Sequence, residues 1–132
     1  MNPLIGYFVF FDLGNGCFGS KYGNLFTNRL FVESAVQDPT PATRDIWVGD
    51  FVTVWLNDLT QSGHTRALLH IRPRTADQYI LEWREDSQAS PVLYWGEGMV
   101  SNGQLVGSYW NPDMQAHLPA RPDVRRLPLV LP

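Results

Sequence analysis

The sequence lacks several features that would point directly to a class of protein. It has a single cysteine, Cys17, so no disulfide can form within the chain. Its net charge is −3 at pH 7 with no run of lysine or arginine, whereas nucleic-acid-binding proteins normally carry a basic stripe. No apolar run approaches the roughly 18 residues that a membrane-spanning helix needs. The expected partners therefore include neither nucleic acid nor a membrane span.

Patterns for metal, phosphate and catalysis are also missing. The histidines His64, His70 and His117 do not show the spacing of a zinc site. The glycine-rich segment 12–23 lacks the Gly-Lys-Ser/Thr ending of a phosphate-binding loop, and we interpret it as a long irregular loop. Cys17 has no catalytic signature around it. We therefore predict no metal, no cofactor and no catalytic residues.

The N-terminal segment 4–11 is apolar but does not have the pattern of a leader peptide. No positively charged residue precedes it, and Asp12 ends the apolar run early. We interpret this segment as a strand and expect a cytoplasmic location. The length of 132 residues is typical of one domain, so we expect a single domain over 1–132.

The residues that are abundant favour short strands. Ten prolines and eleven glycines interrupt the chain too often for long helices, and seven Phe, five Tyr and five Trp favour strands. Alternating or apolar runs predict strands over 4–11, 30–33, 46–56, 66–72, 79–84, 92–100, 104–110 and, at an edge or closing position, 127–131. Such a meander closes most simply into an all-β, antiparallel up-and-down barrel of about eight strands, which removes exposed edges.

The segment 92–110 predicts a hairpin whose register is defined by its turn. Asn102-Gly103 between apolar runs is the strongest short-range hairpin signal, because both central residues of a type I′ turn need positive φ. Glycines within the paired strands are tolerated where a sheet bends sharply, which favours a barrel. The predicted opposing pairs are Val100 with Leu105, Gly98 with Gly107, Gly96 with Tyr109, Tyr94 with Asn111, Met99 with Val106, Glu97 with Ser108 and Trp95 with Trp110.

A glycine–aromatic pattern runs through the later strands. It comprises Tyr79, Leu81, Trp83, Tyr94, Gly96, Gly98, Gly103, Leu105, Gly107, Ser108 and Tyr109. This pattern resembles small bacterial calycin-like barrels, the lipocalin and avidin kind. The first strand departs from them, since it has only Gly6-Tyr7 in place of a Gly-x-Trp signature, and no set of biotin-binding residues matches. The resemblance implies a barrel with an end-opening cavity and does not identify a ligand.

Two assignments of the hairpin faces are open. If the face with Trp95, Glu97, Ser108 and Trp110 turns inward, it forms an aromatic-walled cavity with one carboxylate and one hydroxyl, which suits a small amphipathic ligand. Burial would then raise the pKa of Glu97. If the glycine-rich face turns inward, the tryptophans form an exposed apolar patch typical of an interface. The predicted ligand-binding residues follow the first assignment. They are Trp83, Trp95, Glu97, Ser108 and Trp110.

The function predicted from these features is non-catalytic binding of a small apolar or amphipathic molecule in the barrel cavity. A first alternative is a homo-oligomeric protein-interaction module with a packed barrel, because the predicted strand 46–56 is apolar on both faces. A second alternative is an enzyme with an acid/base site at the barrel mouth using Glu97. The weakness of this alternative is that no second positioned catalytic group is evident.

Overall fold

The computed structural model of the protein describes residues 3–25, 30–37, 45–56, 64–85, 87 and 89–118. They form the strands β1 (Ile5–Gly14), β2 (Cys17–Asn24), β3 (Phe31–Gln37), β4 (Gly49–Leu56), β5 (His64–Thr75), β6 (Gln78–Arg84), β7 (Val92–Ser101) and β8 (Gln104–Trp110), followed by the short helix α1 (Pro112–Gln115). Each strand pairs antiparallel with the next, and β8 pairs with β1, so the sheet closes on itself. The predicted all-β fold and eight-stranded antiparallel barrel are confirmed.

The β7–β8 hairpin has the turn and register that its sequence predicts. Asn102 and Gly103 have φ values of 52° and 75°, as a type I′ turn requires. Six of the seven predicted opposing pairs are present. The pair of Tyr94 with Asn111 is absent, because β8 ends at Trp110 and Asn111 caps the start of α1. The turn therefore determines which residues of β7 and β8 share a face.

The interpretation of 12–23 as an irregular loop is wrong. β1 continues to Gly14, and β2 begins at Cys17. Between them, Asn15 and Gly16 have φ values of 54° and 75°. This segment contains the same Asn-Gly turn signal as the β7–β8 hairpin, so its glycines belong to a second tight hairpin.

Several strand limits also differ from the predicted ones. Ile46 and Trp47 precede β4 in a turn, and β3 extends to Gln37, beyond the predicted limit at residue 33. The helix α1 was not predicted by any periodicity in its segment. The strand predicted at 127–131 lies outside the described residues.

One end of the barrel is closed by packed side chains. Trp47 stacks on the ring of Phe18 with a centroid distance of 4.8 Å. Asp45 positions this contact, since its Oδ1 accepts a 3.0 Å hydrogen bond from the Trp47 backbone N–H. The Tyr79 hydroxyl donates a 2.5 Å hydrogen bond to Oδ2 of the same carboxylate. We call this end of the barrel the closed end.

A second, smaller apolar cluster lies on the outer surface, and we call it the outer cluster. It contains Ile80 and Trp110, packed against Ile5, Trp95, Met114 and Leu118. α1 is anchored there because Trp110 Nε1–H donates a 2.6 Å hydrogen bond to Gln115 Oε1. The part of the chain that the structure describes contains no helix that could span a membrane.

Candidate ligand-binding site

A cavity of about 220 Å³ lies at the end of the barrel away from the closed end. It is lined by residues near the starts of β1, β3 and β7 and near the ends of β2, β4, β6 and β8: Leu4, Phe8, Tyr22, Asn24, Phe31, Glu33, Trp55, Trp83, Tyr94 and Tyr109. A cavity of about 150 Å³ is sufficient to hold benzene. This cavity is therefore large enough for a molecule somewhat bigger than one aromatic ring.

Five rings follow one another around the cavity wall, and we call them the aromatic belt. Phe31 stacks on Tyr22 with centroids 5.4 Å apart. Tyr109 meets Tyr22 edge-to-face at 6.1 Å and Tyr94 at 5.5 Å. Trp55 completes the belt, with its ring 6.2 Å from that of Tyr94. The belt gives the cavity a wall of large apolar surfaces that also carries three phenolic hydroxyls.

Glu33 lies between the two ends of the aromatic belt. It shares β3 with Phe31, and it pairs with Trp55 across the β3–β4 ladder. Its side chain is almost fully buried, with the residue 5% exposed. Oε2 of Glu33 accepts a 3.0 Å hydrogen bond from Trp83 Nε1–H on the opposite side of the barrel. The carboxyl group is thus held at a defined position in the cavity wall.

The environment of Glu33 favours its neutral form. Burial raises the pKa of Glu33 to about 7, and hydrogen bonds from Trp83 and Thr53 lower it only in part. Neighbouring Ser20, its partner across the β2–β3 ladder, is 2% exposed, and its Oγ has no hydrogen-bond partner among the described residues. Glu33 therefore changes its ionisation near neutral pH within a polar patch of an otherwise aromatic wall.

No described lining residue is a lysine, arginine or histidine. Burial raises the pKa of Tyr22, Tyr94 and Tyr109 above the usual value, and the charge of Glu33 adds to this effect at Tyr22 and Tyr109. The three hydroxyls are therefore neutral near pH 7 and able to donate or accept hydrogen bonds. Ionised Glu33 has no cationic side chain beside it among these residues.

Glycines make room for the rings of the site. A Cβ atom at Gly96 would lie 3.0 Å from the ring of Trp83, which is the indole that reaches Glu33. A Cβ atom at Gly6 would lie 2.5 Å from the ring of Tyr109. The bare backbone at these positions lets both rings lie flat against the barrel wall.

The structure divides the predicted ligand-binding residues between the two faces. Trp83 lines the cavity as part of its wall. Trp95 and Trp110 belong to the outer cluster beneath α1. The first assignment of the hairpin faces is therefore wrong, because the glycine-rich face turns inward and α1 covers the tryptophans.

Glu97 and Ser108, the two polar residues of the predicted set, also lie on the outer face of the barrel. Oε1 of Glu97 is 3.3 Å from Nη1 of Arg74 at a partly exposed position. Ser108, which pairs with Glu97, is exposed. The residues that do surround the cavity with Trp83, above all Glu33 and the aromatic belt, are ones that the sequence did not single out as ligand-binding.

Comparison of the chain with protein families, with curated proteins and with solved structures finds no match. The calycin-like resemblance is therefore supported by the barrel architecture alone. What the site can do has to be judged from its geometry and chemistry.

Proposed function

We propose that the protein binds a small amphipathic molecule in the barrel cavity without transforming it. The supporting observation is a cavity walled by the aromatic belt, with one buried carboxyl group, in a barrel whose other end is closed by side chains. Sites for small ligands combine apolar walls with a few well-placed polar groups. This is the function predicted from the sequence, with a different set of residues forming the site.

The polar groups in the cavity suit binding better than catalysis. General acid–base catalysis by Glu33 would need a second group with a pKa near the working pH. The tyrosines of the belt do not meet this need, because burial raises their pKa values further from neutrality. Glu97, the acid/base candidate from the sequence, lies on the outer face beside Arg74, away from the cavity.

The calycin-like resemblance remains part of the proposal. An eight-stranded antiparallel barrel with a cavity at one end is the arrangement that the resemblance implies. The cytoplasmic location likewise stays a prediction.

Self-association is a second candidate function, favoured by one observation. Val32, Val36 and Val54 lie on the outer face of β3 and β4 and are 49%, 53% and 40% exposed. Neighbouring exposed apolar side chains are typical of an interface. Light scattering over a range of concentrations would detect a dimer, and a strict monomer would remove this candidate.

Filling the mouth of the cavity is expected to abolish ligand binding. Leu4 lines the cavity, and its backbone is held by hydrogen bonds of 3.0 and 3.1 Å with Asn111. Leu4→Trp should therefore place a large ring in the cavity without releasing the chain. Isothermal titration calorimetry with 2-phenylethylamine and 2-phenylethanol measures the effect, and we expect binding to weaken by at least about tenfold, or about 1.4 kcal/mol.

Met99→Trp is the matched control, because Met99 lies on the outer face and is 50% exposed. It adds similar bulk and should leave the affinity unchanged, with circular dichroism confirming that both variants are folded. Native mass spectrometry of the purified protein tests independently for a co-purified small molecule. Undiminished binding by Leu4→Trp would place the ligand elsewhere, and failure of the wild type to bind either compound would remove the proposed function.

A further inference from the structure

We propose that the cavity selects ligands that carry a positively charged amine, held between the Glu33 carboxylate and the rings of the aromatic belt. This inference rests on the proposed function and adds the chemical class of the ligand. The amine would lie at Glu33, and the apolar part of the ligand would extend along the belt toward the mouth.

The wall around Glu33 has a shape that suits a cation. Three of the four neighbouring ring pairs of the belt meet at steep angles, 80° for Tyr22 and Tyr109, 87° for Tyr94 and Tyr109, and 69° for Trp55 and Tyr94. The fourth pair, Phe31 and Tyr22, is stacked at 26°. Steep angles between consecutive rings give the cross-section of a box. Boxes of aromatic rings bind alkylammonium groups because a cation is attracted to the face of a ring within about 6 Å of its centroid.

Charge balance at Glu33 also favours a cationic ligand. A buried carboxylate without a counter-charge is costly, and the described lining residues provide Glu33 with no lysine, arginine or histidine. A ligand ammonium would supply this counter-charge and form a charge-assisted hydrogen bond. An anionic ligand would be repelled by the Glu33 carboxylate. A neutral ligand would leave this carboxylate without a counter-charge.

The carboxyl group of Glu33 has a fixed position in the cavity wall. Trp83 Nε1–H binds Oε2 of Glu33 from across the barrel, so the carboxylate is oriented before any ligand arrives. Preorganised polar groups lose little entropy on binding. Trp83 thus acts as a positioning residue for Glu33 and also forms part of the apolar wall.

The affinity for an amine should depend on pH through Glu33. Among the described residues that line the cavity, the titratable groups besides Glu33 are Tyr22 from β2, Tyr94 from β7 and Tyr109 from β8. Burial keeps all three neutral between pH 5.5 and pH 8. A primary alkylammonium resembles a lysine side chain, with a pKa of about 10.4, and stays protonated below about pH 9. Binding of an amine should therefore strengthen from pH 5.5 to pH 8, whereas binding of an alcohol should not.

The test compares 2-phenylethylamine with 2-phenylethanol, which have the same shape and differ in charge, by isothermal titration calorimetry at pH 8. For the wild type we expect the amine to bind at least about tenfold more tightly, equivalent to about 1.4 kcal/mol. Glu33→Gln should remove this preference, because glutamine keeps the shape and still accepts the Trp83 hydrogen bond. Glu97→Gln neutralises a carboxylate on the outer face and should keep the preference.

Equal affinities of the wild type for the amine and the alcohol would overturn cation selection while leaving the proposed function intact. Cation selection would equally be overturned if 3-phenylpropionate bound more tightly than the amine, or if Glu97→Gln and not Glu33→Gln removed the preference. Absence of binding by all three compounds would overturn both the inference and the proposed function. A tighter amine complex that loses its advantage only in Glu33→Gln is the supporting result.

Discussion

Replacing Tyr109 by alanine is expected to lower the free energy of unfolding by about 3–5 kcal/mol, the usual loss for a large buried ring. Tyr109 is 8% exposed and lies at the centre of the aromatic belt. Its ring contacts those of Tyr22, Tyr94 and Trp83 at 6.1, 5.5 and 6.3 Å. Its hydroxyl is hydrogen-bonded to Asn24. Removing it enlarges a space that already adjoins the cavity, so the neighbouring rings cannot fill it by small shifts.

Urea denaturation followed by tryptophan fluorescence and circular dichroism measures this loss. The midpoint should fall while the slope of the transition stays constant, as for a change in stability alone. Met99→Ala, which removes a half-exposed side chain from the outer face, should change stability by less than about 1 kcal/mol. A Tyr109→Ala protein as stable as Met99→Ala would mean that Tyr109 is not packed inside the barrel.

The stability of the protein is expected to fall by about 3 kcal/mol as the pH rises from below 4.5 to above 7, through the contribution of Glu33. Burial raises the pKa of this residue from the ordinary 4.5 to about 7. Between pH 4.5 and about pH 7, Glu33 is protonated in the folded protein and ionised in the unfolded chain. The stabilisation is therefore complete below pH 4.5 and is lost as the pH rises through about 7, which is the reverse of the usual effect of a salt-bridged carboxylate.

Glu33→Gln isolates this contribution from that of every other acid. Urea denaturation of the wild type and the variant at intervals from pH 5 to pH 8.5 should show the variant gaining stability relative to the wild type as the pH rises. Glu97→Gln is the matched control and should follow the wild type. If the difference between the wild type and Glu33→Gln is constant over this range, Glu33 is not buried with a raised pKa.

The fold was predictable because its signals are local. The Asn102-Gly103 turn sets the register of the β7–β8 hairpin without help from the rest of the chain. Alternation in β5 likewise places Ala67, Leu69 and Ile71 in the interior. The Asn15-Gly16 turn carries the same signal, which was hidden among the other glycines of its segment.

The inward face of the β7–β8 hairpin was not predictable, because both faces bury large apolar groups. Trp110 is 4% exposed, as low as many core residues, since α1 covers it from outside. The segment that forms α1 is broken by prolines and has no helical period. The sequence pattern therefore does not predict that a helix covers this face of the hairpin. Small residues such as Gly96 and Gly107 on the opposite face accommodate the concave interior of the barrel.

Glu33 was missed for a different reason, because the pattern of β3 suggests the reverse orientation. Val32 and Val36 would normally turn inward and Glu33 outward, since charged residues are rarely buried. In the barrel these valines are about half exposed, while Glu33 and Ala35 are buried. Residues that break a local rule in this way are often functional, and they are recognisable only when the closed barrel shows which neighbours share the interior.

The most direct test of ligand binding inside the barrel follows the indole N–H signals in ¹H–¹⁵N NMR spectra. Trp83 donates to Glu33 within the cavity, and Trp110 donates to Gln115 in the outer cluster. During titration with 2-phenylethylamine, the Trp83 signal should shift to saturation and the Trp110 signal should stay in place, with Trp→Phe variants providing the assignments. A shift of the Trp110 signal with the Trp83 signal unchanged would contradict binding in the cavity.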